Sequence, residues 1–68
     1  MKFKENLKKY RKEIPMTQAG LAKETGLTAD WISHYETGKR LPSLPNLIKL
    51  ADALDLTLDD LVGRNLKG

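Results

Sequence analysis

An all-α domain of five helices is what this sequence predicts, and three observations predict it. Apolar residues recur at spacings of three and four along most of the chain, the period of a helix with one buried face. Four Ser or Thr residues, Thr17, Thr28, Ser43 and Thr57, stand where helix N-caps belong, and Gly26, Gly38 and Gly63 stand where helices stop. No segment reads as a strand bounded by turn signals. The chain has 68 residues, which bounds it to a single domain spanning 1–68, with no repeat, linker or low-complexity tract.

Each element has its own reason. Phe3, Leu7, Tyr10 and Ile14 form the first stripe, with lysines between them. Pro15 lacks an N–H and biases Ile14 away from the helical region, so the first helix ends near Glu13. Thr17 caps a second helix, Gln18 to Thr25, with Leu21 and Ala22 facing inward and Gly26 as its C-cap. Thr28 caps a third helix that runs through Trp31, Ile32 and Tyr35 to about Thr37, where Gly38 stops it. Lys39-Arg40-Leu41-Pro42 is a basic loop. Ser43 caps a fourth helix that tolerates Pro45 in its first turn and carries the stripe Leu47, Leu50, Ala51 and Leu54. Thr57 caps a short fifth helix with Asp59 and Asp60 in its first turn, where the helix dipole favours acids, and Gly63 ends it.

Composition removes several function classes. Cysteine is absent and His34 is the lone histidine, so disulfides, thiolate metal sites and cysteine nucleophiles are excluded and a histidine-rich metal site is impossible. Asp30 and His34 lie four apart on one helix, but two ligands do not make a specific metal site. Ser33 and His34 are adjacent on a helix and point about 100° apart, so with Asp30 they cannot form a catalytic triad. Neither a catalytic constellation nor a cofactor site is expected, and the chain reads as a non-enzyme. No apolar run reaches the ~20 residues of a membrane span, and no apolar signal core follows Met1-Lys2-Phe3-Lys4-Glu5, so the expected compartment is the reducing cytoplasm.

The net charge is +3, unevenly spread. Residues 1–13 hold six Lys/Arg against two Glu, residues 44–60 hold one Lys against four Asp, and Arg64 and Lys67 follow. Such asymmetry suits a protein with one face turned to a polyanion, although a solvated surface gives the same pattern.

Residues 18–37 form one unit: two short helices joined by a three- to four-residue turn with a glycine. A small residue, Ala22, stands where the helices must cross closely. Gly26 takes the turn, where a positive φ strains most side chains, and Leu27, Ile32 and Tyr35 pin the second helix to the body. These are the requirements of a helix-turn-helix, whose second helix presents its outer face to the DNA major groove.

The chain also resembles the Cro and phage-repressor (XRE) family. The resemblance is carried by Met16-Thr17-Gln18-Ala19-Gly20-Leu21-Ala22, Gly26-Leu27-Thr28 and the run from Trp31 to Leu44. Leu47-Ile48-Lys49-Leu50-Ala51-Asp52-Ala53-Leu54 and Leu58-Asp59-Asp60-Leu61 carry it through the last two helices. It implies a lambda repressor-like fold and a sequence-specific regulator of bacteria, phages or mobile elements, repressor-like and commonly a homodimer on a palindromic operator in double-stranded DNA. Position by position, it implies that Gln18 contacts a phosphate and that Thr28, Ala29, Asp30, Ser33 and His34 face the groove. Lys39 and Arg40 would approach the backbone, and Arg11 and Glu36 would bridge the first and third helices. The sequence departs from the family pattern at Gly20, where a glutamate is usual, at Ile14-Pro15, and at Asp55, where a glycine is common; these bear on stability, not on the reading face.

Some readings stay open. Arg for guanine and Asn or Gln for adenine are missing from the reading face, so specificity is expected to rest partly on DNA shape and half-site spacing. Trp31 either seals the core edge against the 39–42 loop, the favoured reading, or lies on the DNA backbone. Lysines 2, 4, 8, 9 and 12 read as a solvated face. Leu56, Leu58, Val62 and Leu66 either cap the core or form a dimer interface, and the two readings stand level. The alternative function is a protein-interaction module or antitoxin on the same fold, with a protein partner in place of DNA.

Overall fold

The computed structural model describes residues 2–63, and Arg64, Leu66 and Lys67 lie outside them. Helices α1 (Phe3–Glu13), α2 (Gln18–Thr25), α3 (Ala29–Thr37), α4 (Leu44–Ala53) and α5 (Leu58–Val62) follow one another in the chain, with no strand among the described residues. The fold class is therefore all-α, as the periodicity predicts. The expected hydroxyls begin four of these helices: Thr17 accepts from the Gly20 amide, Thr28 from Trp31, Ser43 from Asn46 and Thr57 from Asp60. Each satisfies a first-turn N–H that the helix itself cannot.

Five side chains are completely or almost completely shut from solvent, and each comes from a different helix: Leu7, Leu21, Ile32, Leu50 and Leu61. Phe3, Ala22, Tyr35, Ala51 and Leu54 complete the core around them. Burying a side chain of this size contributes about 1.5–3 kcal/mol, so one contribution from every helix ties the five elements into a single cooperative unit. Tyr35 keeps its hydroxyl satisfied by accepting from Asn46 Nδ2 at 3.2 Å.

The α1 stripe differs from expectation at its end. Ile14 is 46% exposed, and the inward place one turn after Leu7 belongs to Arg11. Ile14 follows the last helical residue as the chain turns away, and Met16 packs against the core instead. Arg11 grips this turn: its carbonyl accepts from the Met16 amide at 2.9 Å, and its Nη1 donates to the Met16 carbonyl at 2.7 Å.

Between α4 and α5 the chain reverses through Asp55 at φ +56°, the left-handed region. The Leu56 amide donates to the Ala51 carbonyl and the Asp55 amide to that of Asp52, closing the end of α4 as a Schellman motif. The two ends of the described chain meet: the Lys2 amide donates to the Val62 carbonyl at 3.3 Å, and Asn6 Nδ2 donates to the Asp60 carbonyl at 3.4 Å.

Candidate nucleic-acid interface

α2 and α3 are joined by Gly26-Leu27-Thr28, with Gly26 at φ +75°. Thr25 is buried beneath this turn, where its hydroxyl donates to the Leu21 carbonyl at 2.8 Å and accepts from the Leu27 amide at 3.3 Å. Leu27 packs against the core, so the turn is anchored from both sides.

α3 then divides cleanly. Ile32, Tyr35 and Glu36 face inward and are buried. Thr28, Ala29 and Asp30 are exposed, while Ser33 and His34 are half-buried. Residues 29, 30, 33, 34 and 37 share one helical face, so four of the groove-facing positions of the sequence reading stand together on α3, with Thr28 as its N-cap. Thr37 joins them without having been singled out, although its spacing of four from Ser33 was a visible signal; its hydroxyl donates to the Ser33 carbonyl at 3.0 Å. An α-helix with its side chains is about 10–12 Å across, which fits a major groove about 12 Å wide.

The basic loop folds back along this helix. Gly38 takes φ +78°, and the amides of Lys39 and Arg40 both donate to the His34 carbonyl, at 2.9 and 3.3 Å. The Lys39 and Arg40 side chains are exposed. Arg40 carries its guanidinium over the Trp31 ring, 5.7 Å from the centroid. Trp31 is 42% exposed and meets the edge of His34 at 5.9 Å. It therefore packs against the loop while keeping much of its face open.

Behind the outer face of α3 lies a polar anchor. Arg11 donates to both Glu36 oxygens, Nε to Oε2 at 2.6 Å and Nη2 to Oε1 at 3.0 Å, and Gln18 Nε2 donates to Oε1 at 3.2 Å. The hydrogen bonds it donates to Glu36, outweighing the opposing effect of burial, hold the Arg11 guanidinium above its already high ordinary pKa. Gln18, the expected phosphate contact, is half-buried at the start of α2 and bonded to α3, a link the sequence reading missed.

Leu56, Leu58 and Val62 are half-buried against the core, and Leu66 lies outside the described residues. The more exposed large apolar side chains among the described residues are Leu41, Leu44, Ile14, Ile48 and Trp31. No group of three or more His, Cys, Asp or Glu able to hold a metal occurs among the described residues, and no described helix is long and apolar enough to cross a membrane.

Helix-turn-helix is the family whose profile matches residues 7–61, four-fifths of the chain. The chain belongs to the helix-turn-helix family, in its Cro and phage-repressor branch. Among relatives of the family, the chain is 47% identical over 64 residues to the cryptic phage CTXphi transcriptional repressor RstR of Vibrio cholerae, covering 94% of this chain and 57% of that one. It is 39% identical over 62 residues to the control protein C.MunI of a Mycoplasma species, covering 90% and 84% of the two chains. In three dimensions it superposes on the restriction-modification controller protein C.AhdI of Aeromonas hydrophila with a TM-score of 0.85, at 37% identity, over 88% of this chain and 91% of that one. It superposes on the P22 c2 repressor, whose structure was solved in complex with a synthetic operator, with a TM-score of 0.83 at 32% identity, over 87% and 89%. Some curated relatives are much longer: the chain spans 57% of RstR and 52% of the regulator YqaE of Bacillus subtilis.

Proposed function

We propose that this helix-turn-helix domain binds double-stranded DNA in a sequence-specific manner as a repressor-like transcriptional regulator, docking α3 in the major groove. The exposed face of α3, flanked by a basic loop hydrogen-bonded to its own C-terminal turn, carries this reading. Base contacts come from Thr28, Ala29, Asp30, Ser33 and His34: Ala29 suits a thymine methyl, Asp30 a cytosine amino group, Ser33 several bases and His34 a purine. Phosphate contacts come from Gln18, Lys39 and Arg40 and from the amides opening α2 and α3, which set register and make affinity fall with salt. Similarity to a repressor solved on its operator supports the same mode of docking.

A homodimer reads a palindrome whose half-sites lie about one helical turn, roughly 34 Å, apart. The half-buried side chains Leu56, Leu58 and Val62, with Leu66, are the proposed contact between copies. The cytoplasm is the proposed compartment.

Selection from a randomised duplex pool at near-physiological salt, followed by sequencing, tests the reading. Recovery of a palindromic motif with that spacing supports it. Retention without enrichment defeats it and leaves a non-specific polyanion binder.

A further inference from the structure

The contacts around Trp31 connect two groups that the DNA-binding reading uses separately. Trp31 sits in the first turn of α3, where its amide donates to the Thr28 cap at 3.2 Å. Its ring leans on the buried Tyr35 at 6.0 Å and 37°, which fixes its plane against the core. His34 stands perpendicular to it at 5.9 Å and 89°, and Arg40 covers it at 5.7 Å. Among the described residues no carboxylate forms a salt bridge with Arg40. Its backbone is tied to the His34 carbonyl and its side chain lies on the indole.

An arginine at a loop tip ordinarily samples many rotamers, and each phosphate contact must overcome that freedom. An indole face offers the planar guanidinium a weak, directional attraction that leaves its N–H edges pointing outward. The same ring limits the swing of the imidazole beside it. We infer that Trp31 is a positioning residue for DNA recognition: it holds Arg40 ready for a phosphate and His34 ready for a base, without having to touch either. This rests on the DNA-binding reading of α3, and it assigns to one apolar side chain the coupling between a register contact and a reading contact.

Trp31 is the single tryptophan of the chain, so its emission reports the stack directly in the protein without DNA. Arg40→Ala is expected to raise the acrylamide quenching of Trp31 and shift its emission, since the exposed Arg40 can be removed without disturbing the core. Identical quenching in the two proteins overturns the inference whatever the DNA does. On a duplex carrying the selected motif, Trp31→Leu weakens binding about two- to fivefold, the scale of an exposed cation–π contact, and Arg40→Ala weakens it at least as much because the phosphate contact goes too. The double variant loses less than the product of the two single losses, because part of what Trp31 contributes is exerted through Arg40, and Trp31→Phe regains most of the loss. Losses that multiply in the double variant overturn the inference. So does an Arg40→Lys protein with wild-type affinity, because lysine keeps the charge and loses the planar stack. Circular dichroism of each variant separates misfolding from loss of positioning. If the wild-type protein enriches no motif, the DNA-binding reading has failed, and the quenching arm still reports on the stack.

Discussion

The guanidinium of Arg11 and the carboxylate of Glu36 are joined by two hydrogen bonds although twenty-five residues separate them, and both residues are nine-tenths or more buried. Glu36 reaches a third donor, Gln18, so a single carboxylate on the buried face of α3 ties α1, α2 and α3 together. Removing one partner leaves a buried charge without its counter-ion. Glu36→Gln is expected to lower stability by about 3–5 kcal/mol, seen as a lower urea midpoint. The double variant Arg11→Met with Glu36→Leu loses much less, because no unpaired charge stays behind.

The same pair sets a pH expectation. The Arg11 pKa is raised on folding, so its contribution is fully present below the unfolded-state value and is lost only as pH rises through the folded-state value. Both lie far above neutrality. Thermal unfolding of the wild type compared with Arg11→Lys between pH 7 and about pH 9 should therefore show a constant difference, since lysine also stays largely charged there.

Asp55→Gly is expected to stabilise the domain. The left-handed conformation costs a non-glycine residue about 1–2 kcal/mol, and the greater freedom of glycine in the unfolded chain takes back about 0.5–1 kcal/mol. A net gain of about 0.5–1 kcal/mol raises the melting temperature by several degrees in a domain of this size. Removing an acid from the C-terminal end of α4 works in the same direction.

Gly26→Ala tests the turn by itself. A Cβ there meets no atom within 4 Å, so the penalty is purely one of backbone conformation at φ +75°. A loss of about 1–2 kcal/mol is expected in denaturant titration, with DNA affinity unchanged once both proteins are folded.

Asp30→Asn should move stability and binding in opposite directions. Its carboxylate lies in the first turn of α3, where it favours the helix by about 0.3–1 kcal/mol, and it stands on the face proposed to enter a groove walled by phosphates. The variant should melt slightly earlier and bind mixed-sequence duplex about two- to fivefold more tightly at low salt. A parallel loss of preference at one base pair would assign Asp30 to a cytosine.

How far the sequence discloses this structure depends on the range of the interaction. N-cap hydroxyls act over three residues, and Gly26, Gly38 and Gly63 answer to their own φ, so the starts of α2 to α5 and the ends of α2, α3 and α5 are legible locally, whereas the start of α1, which has no side-chain cap, and the end of α4 at Asp55 are not. The dipeptide Ile14-Pro15 tells where α1 stops, but not that Arg11 replaces Ile14 on its inner face, because that depends on Glu36 arriving from α3. The bond from Gln18 to Glu36 and the stack of Arg40 on Trp31 are invisible for the same reason: each needs two elements already docked. Gly20 reads as a weak point in α2, and its neighbours add a detail. A Cβ there would lie 3.1 Å from Met16 Cγ, so the space is shared with the side chain that replaces Ile14 in the core.

The meeting of Lys2 with Val62 and of Asn6 with Asp60 gives the domain the form of a closed ring of chain. Joining α1 to α5 closes the longest loop of the fold, and the first and last helices should exchange their amide hydrogens together. A polypeptide that carried this ring between two other segments would depart and return at almost one point. Such a unit can be spliced into a host loop, or cut in the 39–42 loop and rejoined across its ends, with little strain on its neighbours.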